Sequence, residues 1–270
     1  VKYALIAGNG RFPLLALENA RKLGHEVVAV AIREEAAAEV ETLAARCYWI
    51  SLGQLGRLIE ILKGESITEV VLAGQVKHAS IFSSIRPDWR LVKLLATLRQ
   101  RNTEALIGGV ASVLESEGIR LTDSTVLLRP LLAAVGPMTP RKPDAEEEGD
   151  LAYGRRVALA LAAVDVGQSV AVSARACVAI EAMEGTDAML RRAASLVNGQ
   201  PLRLVKVACG RRHMLWDVPV VGLETIAVMQ ETQTTALAVD AGRTLMLDRE
   251  EMLARADDAR IAVTGVQPED

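Results

Sequence analysis

VKYALIAGNGRFPLLALENARKLG, residues 1–24, reads as a strand, a glycine turn and a helix, and this reading decides the fold. Val1 to Ala7 is a mostly apolar run of strand length that ends at Gly8, which suits a strand covered on both faces of a parallel sheet. Gly8 and Gly10 admit positive φ and let a ligand approach the main chain. Pro13 fits the first turn of a helix, where its missing N–H costs nothing. Ala16, Ala20 and Leu23 then share one helical face. The geometry aims unpaired helix N–H groups over Gly8, Asn9 and Gly10, and phosphate is the ligand such a turn suits best. A dinucleotide fingerprint would place a third glycine where Pro13 stands, so a plain strand-to-helix turn remains open beside the phosphate reading.

Outward from this stretch, strand and helix signals alternate. Glu26 to Ile32 is a second Val-rich strand, an Ala/Glu segment reads as helix up to Ala45, and Cys47 to Ile50 is a third strand. Leu55 to Lys63 is helical. Glu69 to Ala73 is a fourth strand ending in Gly74, followed by Lys77 and His78. Ligands of open α/β sheets bind at such carboxyl ends. Asp88 caps a helix begun in RPDWR (86–90), and Thr103 to Glu117 is a helix stopped by Gly118. Alternation of this kind means a parallel sheet, so residues 1–135 are expected to form a Rossmann-like α/β domain.

At 136–143 the stretch GPMTPRKP carries three prolines in eight residues, which reads as a linker or hinge. Asp144 with Glu147 has capping-box spacing, as does Asp248 with Glu251. Val166 to Ser173 and Cys177 to Met183 form an expected antiparallel pair turning at Ala174 and Arg175. A helix through Met189, Leu190, Ala193 and Val197, a strand from Leu202 to Ala208, a helix from Glu224 to Thr232 and strands at Ala236–Val239 and Ile261–Val266 follow. Residues 144–270 are therefore expected to be an α+β domain.

The 270 residues are half apolar, enough for a sizeable core, and carry a net charge of −3 with both signs interspersed. No bulk basic field is present, so nucleic acid is not an expected partner. Three widely spaced cysteines, Cys47, Cys177 and Cys209, match no zinc spacing and suit a reducing compartment, which with no export signal visible in the numbered chain points to the cytoplasm. No uncharged apolar run approaches the roughly 20 residues needed to cross a bilayer, so contact with lipid is expected through a pocket or a peripheral patch.

The candidate chemical residues lie at element ends. Asp217, between Trp216 and Val218-Pro219, is a carboxylate in a partly apolar loop, which calls for a metal ion, a backbone N–H or an Arg. Glu184 and Asp187 fall on one side of a helix start, as a cap or as a site. Lys206 within an apolar strand is an edge charge or an inward cation for phosphate. Lys77 and His78 are phosphate ligands or a solvated loop. His25 and His213 show neither metal-ligand spacing nor a Ser/His/Asp arrangement.

The stretches LIAGNGRFP (5–13), SLGQLGRLIEIL (51–62), VVLAGQVK (70–77), RPDWR (86–90), DVGQSVAV (165–172), EAMEGTDAMLRRA (181–193), VKVA (205–208), DVPVVGLETI (217–226) and AVDAGRTLMLDRE (238–250) span almost the whole chain. In this order they resemble the two-domain, metal-dependent UDP-2,3-diacylglucosamine pyrophosphatases of lipid A biosynthesis, distinct from the calcineurin-like type. The resemblance implies hydrolysis of UDP-2,3-diacylglucosamine to UMP and 2,3-diacylglucosamine 1-phosphate with a divalent metal, magnesium, in a cleft between two domains. It implies substrate contacts at Gly8, Asn9, Gly10, Gly74, Val76, Lys77, Gln168, Glu184, Thr186, Asp187 and Lys206, with Asp217 catalytic and holding the metal. It leaves open whether Asp217 instead activates the water, whether the chain pairs as a homodimer and whether it touches the inner membrane peripherally. Three departures from the family pattern, Asn102-Thr103-Glu104, Arg212-His213 and His78, bear on acyl-chain preference or metal affinity. Other classes are a sugar-nucleotide transferase or nicotinamide enzyme, with Glu34 or Glu35 as ribose acid, and a non-catalytic lipid- or UDP-sugar-binding module.

Overall fold

A computed structural model describes residues 2–74, 87–98, 103–208, 215 and 218–268, with the backbone alone at 103 and 104. The chain divides into two compact units, Val1–Leu128 and Arg129–Asp270.

In the first unit β1 (Tyr3–Ala7) pairs in parallel with β2 (Val27–Ile32) on one side and β4 (Glu69–Ala73) on the other. With β3 (Arg46–Ile50) beside β2 and β5 (Arg120–Thr122) beside β4, the order is β3-β2-β1-β4-β5, all parallel. The order changes direction at β1. Right-handed crossovers then put the helices before and after the change on opposite faces and leave a crevice at the carboxyl ends of β1 and β4. All six residues of β2 are buried, as expected of a strand covered on both faces. The helices are α1 (Phe12–Lys22), α2 (Val40–Leu43), α3 (Leu55–Gly64), α4 (Trp89–Thr97) and α5 (Thr103–Ser116).

Two anionic hubs tie this unit together. Glu65 is buried and accepts from Tyr48 Oη at 2.5 Å, from Lys2 Nζ at 2.9 Å and from Arg46 Nη1 at 2.9 Å. Glu117 accepts from Lys63 and Arg90. Two residues of the RPDWR stretch have structural roles: Asp88 accepts from Leu91 N at 2.9 Å to cap α4 and from Gly56 N at 2.6 Å, and Arg90 reaches Glu117. The Tyr48 hydroxyl, then Lys2 and Arg46, hold the Glu65 carboxyl at about 2, below its ordinary 4.5. A depressed carboxyl contributes stability that is full above its unfolded value and is lost as pH falls through its folded value. Melting temperature is therefore expected to fall as pH drops from about 4.5 toward 2, and Glu65→Gln, melted over the same range, should show a shallower fall; an unchanged slope would dissociate the hub from acid unfolding.

The Ala/Glu segment expected to be helical up to Ala45 is helical only over Val40–Leu43. Before it the chain turns at Glu35 and Ala36, whose N–H groups both bond Ile32 O. Local helix preference yields here to the short return from β2 to β3.

In the second unit β6 (Gly136–Pro137), β7 (Ser169–Ser173), β8 (Ala176–Ile180), β9 (Leu202–Lys206), β11 (Thr234–Asp240) and β13 (Ala262–Val266) form a mixed sheet in the order β6-β13-β11-β9-β7-β8. β9, β11 and β13 run parallel, and β7 is antiparallel to both β9 and β8. A small parallel pair, β10 (Val220–Val221) with β12 (Leu245–Met246), stands apart. One face carries α6 (Ala145–Ala162) through Leu151, Ala158 and Ala162 against Val170, Val172 and Val205. Gly154 allows this approach, since an added Cβ would lie 2.8 Å from Val172 Cγ2 and 2.9 Å from Val205 Cγ2. The other face carries α7 (Thr186–Leu196), α8 (Leu223–Glu231) and α9 (Arg249–Asp258) over Ala171, Leu204, Leu237 and Val263. The hairpin turn at Ala174 and Arg175 takes φ of 49° and 59°, and Arg175 N is held at 2.6 Å by Asp150 Oδ1.

Two expectations are corrected. Residues 136–143 contain an edge strand: Gly136–Pro137 pairs with β13, Met138 N donates to Val263 O at 2.8 Å, and Val263 N donates to Thr139 Oγ1 at 2.9 Å. An edge strand tolerates proline because its outer N–H is not needed in the ladder. The division between units falls instead at Leu128 and Arg129. The capping box forms at Asp144 and Glu147, but Asp248 takes φ 50° in the left-handed region and its side chain makes no cap bond to α9.

Candidate functional site

In the first unit the glycine turn closes on the end of β4. Gly8 N donates to Ala73 O at 2.8 Å, and Gly74 lies against the turn so tightly that an added Cβ would be 2.4 Å from Asn9 O and 3.0 Å from Pro13 Cγ. Gly10, at φ +94°, is exposed and has nothing within 4 Å of where a Cβ would stand among the described residues, while Gly8 is buried. Pro13 lies in the first turn of α1, no side chain caps the helix, and its first turn holds no acid. This leaves positive helix-terminal charge beside Gly8, Asn9 and Gly10. Glu35, buried at the end of the turn after β2, accepts from Asn9 Nδ2 at 3.4 Å, and Glu34 accepts from Leu52 N at 3.1 Å. Both acids proposed for a ribose are engaged with the protein itself. Val76, Lys77 and His78 lie outside the described residues.

In the second unit the polar residues gather where β9 and β8 end and β7 begins, beside the start of α7. Lys206 closes β9, 8% exposed, and its Nζ donates to Thr186 Oγ1 at 2.8 Å. Thr186, the first residue of α7, donates to Glu181 Oε1 at 2.8 Å and lies 3.3 Å from Ser169 Oγ. Asp187 follows on the helix. Burial, then the Glu224 carboxylate, pushes its carboxyl above the ordinary value against the pull of Lys206 and Arg191. A lysine held beside an uncapped helix start is suited to an oxyanion such as phosphate.

Glu184 and Gln168, two of the expected contacts, make bonds within the protein. Glu184 is bound by Arg192 Nη2 at 2.5 Å and accepts from Ala182 N at 3.2 Å; the guanidinium holds its carboxyl below the ordinary range. Its charge is thus committed to shaping the loop. Gln168 stands just before β7, and its backbone O accepts from Val207 N at 2.9 Å. Its Oε1 is buried with no partner among the described residues. Asp217 lies outside the described residues, with Arg212 and His213.

The sequence did not single out Ser169, Glu181, Arg155 or Asp240. Asp240 at the end of β11 is 1% exposed, pairs with Arg155 and accepts from Ala208 N at 2.9 Å, the residue that follows Val207 after β9. An acid closing an otherwise apolar strand was the available signal at both Glu181 and Asp240. No thiol among the described cysteines is poised as a nucleophile: burial, then Glu41, pushes Cys47 up to about 11, and burial raises Cys177.

Residues 2–131 match the family model described as the LpxI N-terminal domain, and residues 134–264 match the LpxI C-terminal domain. The chain is 29% identical over 279 residues to the UDP-2,3-diacylglucosamine pyrophosphatase LpxI of Caulobacter vibrioides, covering 100% of this chain and 99% of that one. Solved structures overlap more loosely. A GalE-like L-threonine dehydrogenase from Cupriavidus necator is 16% identical with a TM-score of 0.30, over 54% of this chain and 42% of that one. The biotin carboxylase domain of a thermophilic 2-oxoglutarate carboxylase bound to ADP is 13% identical with a TM-score of 0.28, over 53% and 30%. With both domain models matched in order along nearly all its length, and a parallel-sheet unit followed by a mixed-sheet unit, the chain belongs to the LpxI family.

Proposed function

We propose that this protein hydrolyses the pyrophosphate bond of UDP-2,3-diacylglucosamine to UMP and 2,3-diacylglucosamine 1-phosphate in lipid A biosynthesis. The observation that carries this reading is the full-length identity with the Caulobacter vibrioides pyrophosphatase. The Lys206–Thr186 pair at the start of α7 and the glycine turn, open at Gly10, each support it, because hydrolysis of a phosphoanhydride is mainly neutralisation and alignment of phosphate charge.

In the reaction a water oxygen forms a bond to one phosphorus, the bridging P–O bond breaks, and the departing phosphate takes the electron pair while the water proton passes to a base. In the second unit the Lys206 ammonium would neutralise phosphate oxygens; in the first, the turn N–H groups and Lys77 are each proposed as phosphate ligands. Thr186 and Asp187 would orient the sugar beside the phosphate at Lys206. Asp217 is proposed to accept the water proton or to hold magnesium. Among the described residues no three metal-ligating side chains cluster. Magnesium, which takes one or two carboxylates with substrate oxygens, would supply charge neutralisation at Asp217 with little else from the protein. No described helix is long and apolar enough to cross a bilayer, and the acylated substrate is proposed to arrive through a peripheral contact at the inner membrane.

The test is incubation of purified protein with UDP-2,3-diacylglucosamine, with and without EDTA, and mass analysis of both products. Equimolar UMP and 2,3-diacylglucosamine 1-phosphate, abolished by EDTA and restored by magnesium, are expected. Substrate left intact at all magnesium concentrations would overturn the activity, and turnover undiminished in EDTA would overturn the metal.

A further inference from the structure

We propose that Glu181 is a positioning residue that fixes the phosphate-binding ammonium of Lys206 by acting through the Thr186 hydroxyl. The inference rests on the reading of Lys206 given above. It starts from register. Ser169 on β7 stands directly opposite Lys206 on β9, and on the other side of β7 Glu181 N donates to Ser169 O at 2.9 Å. Lys206, Ser169 and Glu181 therefore form one row across three neighbouring strands. The row points to the face covered by α7, since Leu204 and Ala171, two residues back on β9 and two residues on along β7, pack with Met189 and Leu190 there. Thr186 opens α7 directly over this row.

The hydroxyl of Thr186 has one proton and two lone pairs. The proton goes to Glu181 Oε1 at 2.8 Å, and the lone pairs are left for Lys206 Nζ at 2.8 Å and Ser169 Oγ at 3.3 Å. Glu181 thus sets the direction of the chain. With its carboxylate drawing the proton, Thr186 can only accept from Lys206, and the ammonium is held with its other two N–H bonds turned elsewhere. Without that carboxylate the hydroxyl rotates, and for part of the time it presents its proton to a cation.

A merely structural carboxylate is a poor account of this position. Glu181 is 8% exposed, yet it makes no ion pair among the described residues and its Oε2 has no hydrogen-bond partner there. Buried carboxylates kept for stability are ordinarily paired and fully bonded, as Asp240 is with Arg155 and Ala208 N.

The test is a double-mutant cycle on the full chain, with KM and kcat for UDP-2,3-diacylglucosamine and a thermal melt on each preparation. Glu181→Ala should raise KM about tenfold with kcat changed less than about threefold, because Lys206 grips phosphate in the ground state as well as the transition state. Glu181→Gln keeps an acceptor for Thr186 and should stay within about threefold of the natural protein. In a Thr186→Val background Glu181→Ala should add less than about twofold, the mark of action through that hydroxyl. Additive effects, or Glu181→Gln as damaging as Glu181→Ala, would overturn the proposal. If Glu181→Ala does not fold, Glu181→Leu, which keeps the buried volume, takes its place; failure of every Glu181 variant to fold would overturn it in favour of a structural carboxylate. Should the natural protein leave the substrate intact, the proposed function fails by itself, and the same cycle is read by calorimetric affinity for inorganic pyrophosphate. There the same pattern supports the role of Glu181, and affinity that is absent or indifferent to Glu181 and Thr186 overturns it.

Discussion

Asp217→Asn is expected to give a folded protein that binds UDP-2,3-diacylglucosamine and turns it over about 10²-fold or more slowly, the scale of losing an acid–base group. Asn keeps the size of the side chain and removes its charge, so the loss should fall on kcat more than on KM if the carboxylate acts on the water or on magnesium as the anhydride opens. Asp217 begins the Asp-Val-Pro segment, DVPVVGLETI, in which the resemblance to the pyrophosphatases is concentrated. The segment leads into β10 and α8, where Gly222 N bonds Thr225 Oγ1 at 3.2 Å and Leu245 N bonds Pro219 O at 2.9 Å. Turnover, substrate affinity and melting temperature should be measured on the same preparation across a magnesium titration. Near-normal turnover would make Asp217 structural and shift the catalytic carboxylate toward Asp187, since Glu184 is bound by Arg192.

Gly74→Ala is expected to destabilise the first unit by about 3 kcal/mol and to weaken substrate binding at the same time. Two costs combine. At φ +87° a Cβ costs roughly 1–2 kcal/mol, and placing it 2.4 Å from Asn9 O and 2.9 Å from Gly8 C adds roughly another 1–3 kcal/mol of overpacking. The atoms it would displace are backbone, so the strain is relieved only by moving the turn that is proposed to bind phosphate. Gly10→Ala is the control. Its φ of +94° carries the first cost, but no neighbour lies within 4 Å of the new Cβ, so its stability loss should be about half as large. Urea unfolding of both variants with equal m-values reads this difference directly; equal losses would mean that the turn gives way without strain.

The sequence by itself determined whatever is written within one turn or one strand. The apolar run before Gly8, the glycine turn and Pro13 specify β1, the turn and α1, and the alternation that follows specifies a parallel sheet, because each signal is local and repeats with the period of its element. Asp88 and Asp144 were legible as caps for the same reason: each bonds an N–H three residues away. What only the tertiary structure decided depends on partners far along the chain. Glu65 becomes a hub because Lys2, Arg46 and Tyr48 converge on it, and Gly74 is essential because Asn9, 65 residues earlier, leaves no room for a Cβ. The prolines of 136–143 signal irregular backbone equally in a linker and at a sheet edge, and only the pairing with β13 makes them the latter. Asp248 carries the sequence of a cap, but it takes a left-handed backbone and its side chain makes no cap bond to α9. Lys206 was visible as a charge in an apolar strand. Its neighbours were not, because the alternation of a strand tells which face a residue takes but not which strand lies beside it, and the row through Ser169 to Glu181 exists only once the register of β9, β7 and β8 is set.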